Sequence, residues 1–314
     1  SGGGSSGGGG VRFDVGSGQD VPPIDPTGGG EEGCTKVDFL FIVDNSGSMA
    51  GEQTNLANSF PGFISAIQDE VKVEDFHIMV VDTDAEFGVD QCATLCSVFT
   101  ECNGIPCNML PPPAGGCDAT IGAGRLTSGA GQDCGVVGGN RYVVEGQPDL
   151  TNTFSCLGTV GTNGDGGERQ MDAMTEAVGP LNAAGQCNEG FVRDDAILVV
   201  TLITDEEDAS DDADGDTNSA GDPTTWKQAL VDAKNGDESA VVVLGLIGDN
   251  GTPGGICGPL SGNDGAEPSP RLRQFAESFQ FGQWGSVCSD DYAPFFSDAV
   301  ATIDGACDVF TPPG

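Results

Sequence analysis

Three oxygen-bearing side chains stand two apart at Asp44, Ser46 and Ser48, directly after the apolar run Phe39–Val43. One charge and two neutral hydroxyls make a poor catalytic set, because no base lies nearby to activate a serine. They make a good partial shell for Mg2+ or Ca2+, which take oxygen ligands. Position supports the same chemistry. An apolar run of this length reads as a strand covered on both faces. Residues just past the C-terminal end of such a strand line the ligand crevice of open α/β sheets. Two further segments carry matching oxygens. Thr162 lies in "VGTNGDGG" (160–167), ahead of a helix, and Asp205 directly follows the apolar run 195–204. Thr159 competes with Thr162, and Asp165 offers an additional ligand.

A second acidic cluster follows at once in "DEEDASDDADGD" (205–216). A run of this kind ordinarily reads as a solvated loop. The alternative is a second calcium site, because Asp212, Asp214, Asp216 and Asn218 alternate. It is not an EF-hand: the glycine stands fourth rather than sixth, and no glutamate closes the loop.

The elements that must position these residues alternate along the chain. Strands are predicted over 36–44, 76–84, 141–145, 195–204 and 240–248, with a short one near Gly285–Cys288. Helices are predicted over 53–70, 148–160, 168–178, 224–236, 270–279 and 292–304, the first with an apolar stripe at Leu56, Phe60, Phe63, Ile64 and Ile67. The alternation predicts an α/β fold: a doubly wound, mostly parallel sheet flanked by helices. Residues 85–140 break the rhythm with six cysteines, a "PPP" run and many glycines, and read as a disulfide-rich insertion. Strand 141–145 must then return antiparallel, and the helix from 148 climbs back to deliver Thr162 to the face that carries Ser46 and Ser48. On that path the insertion borders the metal loops and sets ligand choice. Residues 1–33 read as a Gly/Ser/Pro-rich linker or arm and 308–314 as a tail. Within the arm, Val11, Phe13 and Val15 alternate as a strand would.

Composition narrows the function. Of 314 residues, 49 are acidic and 11 basic, a formal net charge of −38. Nucleic acid and anionic membrane surfaces are therefore poor partners, since phosphate binding needs clustered Lys and Arg. Twelve cysteines without C-x2-C spacing, beside a single histidine, argue for disulfides rather than zinc. No apolar run reaches transmembrane length. The expected setting is an oxidising one: a secreted or surface-tethered protein, the opening Gly/Ser tract serving as the spacer of an outer-membrane lipoprotein. His77 reads as structural, Trp226 and Trp284 as packing residues, and no catalytic set is assigned.

Asp44, Ser46, Ser48, Thr162 and Asp205, in that order, resemble the metal-ion-dependent adhesion site of von Willebrand factor type A domains. The order of elements over 34–307 resembles the same Rossmann-like fold. This sequence departs from the family in Glu206, where the family usually has glycine, and in the residues between Thr162 and its helix. The resemblance implies that hydroxyls and carboxylates hold Mg2+ or Mn2+, and that one open position accepts an acidic group of a partner. It implies adhesion or ligand binding, not a reaction. The ends of secreted members are often tied, which implies Cys34–Cys307. Cys257–Cys288 and Cys156–Cys187 are the other expected pairs, and Cys92, Cys96, Cys102, Cys107, Cys117 and Cys134 are expected to staple the insertion, with fifteen pairings open. The alternative function is a structural subunit of a surface array or filament, self-associating through its N-terminal arm.

Overall fold

The computed structural model describes residues 34–84, 96, 98–102, 105–107, 116–164, 167–208, 218–262 and 264–313. The arm at 1–33, Asp165, and the Asp212, Asp214 and Asp216 of the second calcium motif lie outside the described residues.

The chain runs through β1 (Lys36–Val43), α1 (Ala50–Ala66), β2 (Asp75–Asp82), β3 (Glu101–Cys102), β4 (Ile105–Pro106) and β5 (Val143–Val144). It continues through α2 (Leu150–Gly158), α3 (Gln170–Val178), β6 (Ile197–Ile203), α4 (Pro223–Ala233), β7 (Val241–Ile247), α5 (Pro270–Glu277), β8 (Phe281–Ser286) and α6 (Ala293–Cys307). Six strands form one sheet in the order β5-β2-β1-β6-β7-β8. Every pairing in it is parallel except β2 with β5, which is antiparallel as the chain path requires. The chain moves outward from β1 through β2 to β5. It then returns to β6 on the other side of β1 and moves outward again. The crevice between β1 and β6 is thus the switch point at which open sheets of this kind bind ligands.

The apolar strands are continuous because both faces are covered. Phe39, Phe41 and Val43 point into one core with Leu56 and Phe60 of α1, Phe154 of α2 and Phe296 of α6. Leu40 and Ile42 point into the other with Met171 and Met174 of α3, Trp226 of α4 and Phe275 of α5. Alternate residues of a strand face opposite sides, so each core takes every second side chain.

The structure moves some predicted elements. The strand expected over 141–145 shortens to two residues. The one expected near Gly285–Cys288 lies earlier, at Phe281–Ser286, where it pairs with β7. Its "FGQWGS" carries no apolar alternation, so only pairing with β7 defines it.

Cys34 pairs with Cys307 and Cys257 with Cys288, as expected. Cys156 does not pair with Cys187. It bonds Cys134, while Cys187 bonds Cys117. The reason is layering. Cys156 rides α2 against the first core, whereas Cys187 lies in the loop after α3, beside residues of the second. The sheet separates them. The insertion is therefore not stapled only to itself. Cys96–Cys107 closes a short internal loop, but Cys117 and Cys134 tie the insertion to the body. Its return limb lies along β2 beyond the short β5 pairing, with the Arg125 amide donating to the Val80 carbonyl at 2.8 Å. A side chain at Gly122 would collide with the α3 backbone at Ala173 and Ala177, so that limb packs backbone to backbone.

Candidate functional site

The register of β1 against β6 builds the site. Val43 sits opposite Ile203, so the residues one step beyond, Asp44 and Thr204, emerge side by side. The Asp44 amide continues the ladder to the Ile203 carbonyl at 3.0 Å. The Thr204 hydroxyl donates to Asp44 Oδ2 at 2.6 Å. Asp44 Oδ1 accepts the amide of Ser46 at 2.7 Å, which turns the chain so that the Ser46 and Ser48 hydroxyls meet at 3.2 Å. Asp205 follows Thr204 into the same space, where the neighbouring hydroxyls of Ser48 and Ser46 act on its carboxylate. Four of the five predicted ligands therefore converge: Asp44, Ser46, Ser48 and Asp205, all less than a tenth exposed.

The Thr162 loop is brought to the same edge. Gln53 of α1 donates to the carbonyls of Asp44 and Gly161 at 3.0 and 2.7 Å and accepts the Gly161 amide at 3.1 Å. The Gly164 amide donates to the Asn45 carbonyl at 2.9 Å. Thr162 is thus bracketed by two anchors on the Asp44 loop. Thr159 points elsewhere, its hydroxyl donating to Ser155 of its own helix at 2.8 Å. The insertion borders this loop, since the Gly129 amide donates to the Thr159 carbonyl at 2.8 Å. A side chain at Gly129 would strike the backbone of Val160 and Gly161.

Electrostatically the site is uncompensated. Burial, then the nearby Asp205 charge, pushes the Asp44 carboxyl up to about 7. Burial raises Asp205 as well, against the hydroxyls of Ser48 and Ser46. Glu52 on α1 is raised by burial and by Asp205 and Asp264. Among the described residues no Lys, Arg or His forms an ion pair with Asp44 or Asp205. Asp205 Oδ1 is buried without any hydrogen-bond partner. A buried carboxylate oxygen left bare costs free energy unless a positive charge meets it. This orphaned oxygen, with two hydroxyls and a second carboxylate beside it, fits a hard divalent cation. No cluster of three or more His, Cys, Asp or Glu side chains suited to a metal is present among the described residues. The set here holds two carboxylates, its other oxygens being hydroxyls.

Sequence reasoning missed Thr204 and Gln53. It also misread Glu207 and Asp208 at the start of the acidic run. Glu207 accepts the amides of Arg271 and Leu272 at 2.7 and 3.3 Å, capping α5. Asp208 accepts the Met171 amide at 2.9 Å and the Ser219 amide at 3.0 Å, capping α3. These two acids are fixed helix caps, not solvated charges. They clamp the loop that carries Asp205.

No family model matches the chain, and no curated protein matches it. Among solved structures it is similar to proximal thread matrix protein 1 from the mussel byssus, with 11% sequence identity and a TM-score of 0.37. That likeness covers 89% of this chain and 49% of the other, so the chain spans about half the length of that protein. At this level the likeness bears on neither function nor fold family. Five disulfides among the described residues fit an oxidising environment. No helix among them is long and apolar enough to cross a membrane.

Proposed function

We propose that this chain is an extracellular, divalent-cation-dependent binding module of the von Willebrand factor type A kind, without catalytic activity. The observation that carries the reading is the bare, buried Oδ1 of Asp205 beside the Asp44, Ser46 and Ser48 oxygens at the β1–β6 switch point. Asp44, Ser46, Ser48 and Asp205, with Thr162 from the adjoining loop, would hold Mg2+ or Mn2+. A bound cation supplies a Lewis-acidic position for one carboxylate of a partner. Three hydroxyl ligands against two carboxylates leave the ion electrophilic, so affinity for that carboxylate is retained. The chain's own residues orient the set: Thr204 fixes Asp44, and Gln53 locks the Thr162 loop to it. The insertion, packed against 159–161, contributes the neighbouring surface that selects the partner.

Calorimetric titration of the metal-free chain with Mg2+ or Mn2+ tests the site. Asp44→Ala should abolish the tightest binding, while circular dichroism stays unchanged because the ion stabilises the fold only by mass action. An unchanged isotherm sinks the assignment. The open position is tested separately, because adding a dicarboxylate such as glutarate to the Mn2+-loaded chain should lower water-proton relaxation as it displaces metal-bound water.

A further inference from the structure

Behind the Asp44 loop lies a second group of acids that the hydroxyl site does not use. Glu168, just ahead of α3, is 1% exposed, and Asp84, just past β2, is 5% exposed. Thr83 and Asn45 join them, at 0% and 1% exposure. The Thr83 hydroxyl donates to Glu168 Oε2 and to Asn45 Oδ1, and Asn45 Nδ2 donates to Asp84 Oδ2 at 3.1 Å. The other oxygen of Glu168, Oε1, is buried with no hydrogen-bond partner. Its strongest charged neighbours are Asp44 and Asp84, both negative. No Lys, Arg or His among the described residues pairs with it. The loop over this group is close-fitting: a Cβ on Gly164 would come within 2.5 Å of Asn45 Oδ1.

A bare carboxylate oxygen at full burial, facing other acids, has no cationic group among the described residues to offset it. We infer that Glu168 and Asp84, with the side-chain oxygens of Asn45 and Thr83, form a second cation site, and that it takes Ca2+. The donors are two carboxylates, an amide carbonyl and a hydroxyl, all oxygen and all from the protein. Ca2+ accepts such sets in irregular geometry, whereas Mg2+ sheds its water reluctantly and suits a wetter site. Asn45 lies between Asp44 and Ser46, so the two sites share one wall. The second ion would brace the loop that carries the first set of ligands.

The test is titration of the metal-free full chain with Ca2+, by calorimetry and by melting temperature. Three proteins are compared: the wild type, Glu168→Gln and Ser48→Ala. Gln keeps an acceptor for the Thr83 hydroxyl and the same shape, so the fold is expected to persist. Glu168→Gln should lose one class of Ca2+ binding and the matching rise in melting temperature. It should keep the class that Ser48→Ala removes. In EDTA it should melt no lower than the wild type. Asp84→Asn, read the same way, should lose the same class and guards against a folding defect peculiar to position 168. Ca2+ binding by Glu168→Gln equal to that of the wild type overturns the inference. So does a wild type with no Ca2+ class beyond the one lost in Ser48→Ala. If Ser48→Ala changes neither the Ca2+ titration nor a parallel Mg2+ titration while Glu168→Gln loses its Ca2+ class, the proposed adhesion site fails and this second site stands.

Discussion

The two edges of the central sheet bury acids in opposite ways. At the N-terminal edge, Asp38 of β1 is fully buried, and Arg193 meets it with backbone amide and guanidinium at 2.7 and 2.8 Å. Arg193 also pairs with Asp75, and His77 Nδ1 lies 3.5 Å from Asp38. Lys234, 3% exposed, donates to the Ala196 carbonyl at 2.6 Å nearby. At the C-terminal edge, six residues along the same strand, Asp44 is equally buried and has only hydroxyl and amide donors. Asp82, at the end of β2, is matched there by Arg125 at 2.5 Å. Asp44, Asp205 and Glu168 have no such match among the described residues. The difference separates structure from function. Where the chain supplies the cation, the acid holds the fold together. Where it supplies only oxygens, no Lys, Arg or His among the described residues meets the acid.

The largest expected effect breaks the N-terminal edge. Arg193→Ala strands Asp38 in the interior and should cost about 3 kcal/mol in urea unfolding. Metal should not rescue it. The opposite sign is expected at the other edge, where Asp44→Asn in EDTA should stabilise the chain by on the order of 1 kcal/mol at pH 8. There Thr204 can reverse its hydroxyl, since the Glu206 carbonyl lies 3.1 Å away to accept it. A destabilised Asp44→Asn under those conditions would erase the contrast.

Acid titration sharpens it further. Burial raises Asp38 to about 6 despite Arg193, and Asp44 to about 7. Both folded values lie above the ordinary 3.8. Each group's stabilising contribution is therefore complete below pH 3.8 and is lost as pH rises through its folded value. In EDTA the melting temperature should fall between about pH 4 and 7. Saturating Mg2+ should reverse the part due to Asp44 and leave the part due to Asp38 untouched. The smallest effect is expected at Lys36–Asp195, a pair 35% and 43% exposed. Lys36→Ala should change stability by no more than about 0.5 kcal/mol, and less in high salt.

The sequence made β1, β6 and β7 legible because their apolar runs end abruptly, and the Asp44 and Asp205 loops were legible for the same reason. Thr204 was not, because after "LI" it reads as one more strand residue. Only its place opposite Asp44, set by parallel register, gives it a role. Glu207 and Asp208 were misread because the helix amides they cap lie 64 and 37 residues away. Nothing local marks a cap whose helix lies elsewhere in the chain. The error over Cys156 has a similar origin. Spacing along the chain says nothing about which side of the sheet a loop occupies, and Cys134 reaches the α2 side only because the insertion folds back along β2. Glu168 opens the predicted helix 168–178 and carries no other local signal. Its burial depends on Thr83 and Asn45, neither of which signals it in the sequence.

The bond between Cys34 and Cys307 has a mechanical consequence. It brings the two ends of the folded unit to a Cα–Cα distance of 4.9 Å across 273 residues of sequence. Tension applied through the segments before Cys34 and after Cys307 passes across that covalent link and bypasses the sheet. The oxidised molecule should therefore transmit load as an inextensible knot, with its Asp44 and Asp205 loops unstressed at any force that spares the bond. Reduction would put the same load on β1 and α6 directly. Each pulled molecule would then release a length on the order of 900 Å, at about 3.4 Å per extended residue. Force spectroscopy with and without a reductant would show that length appear.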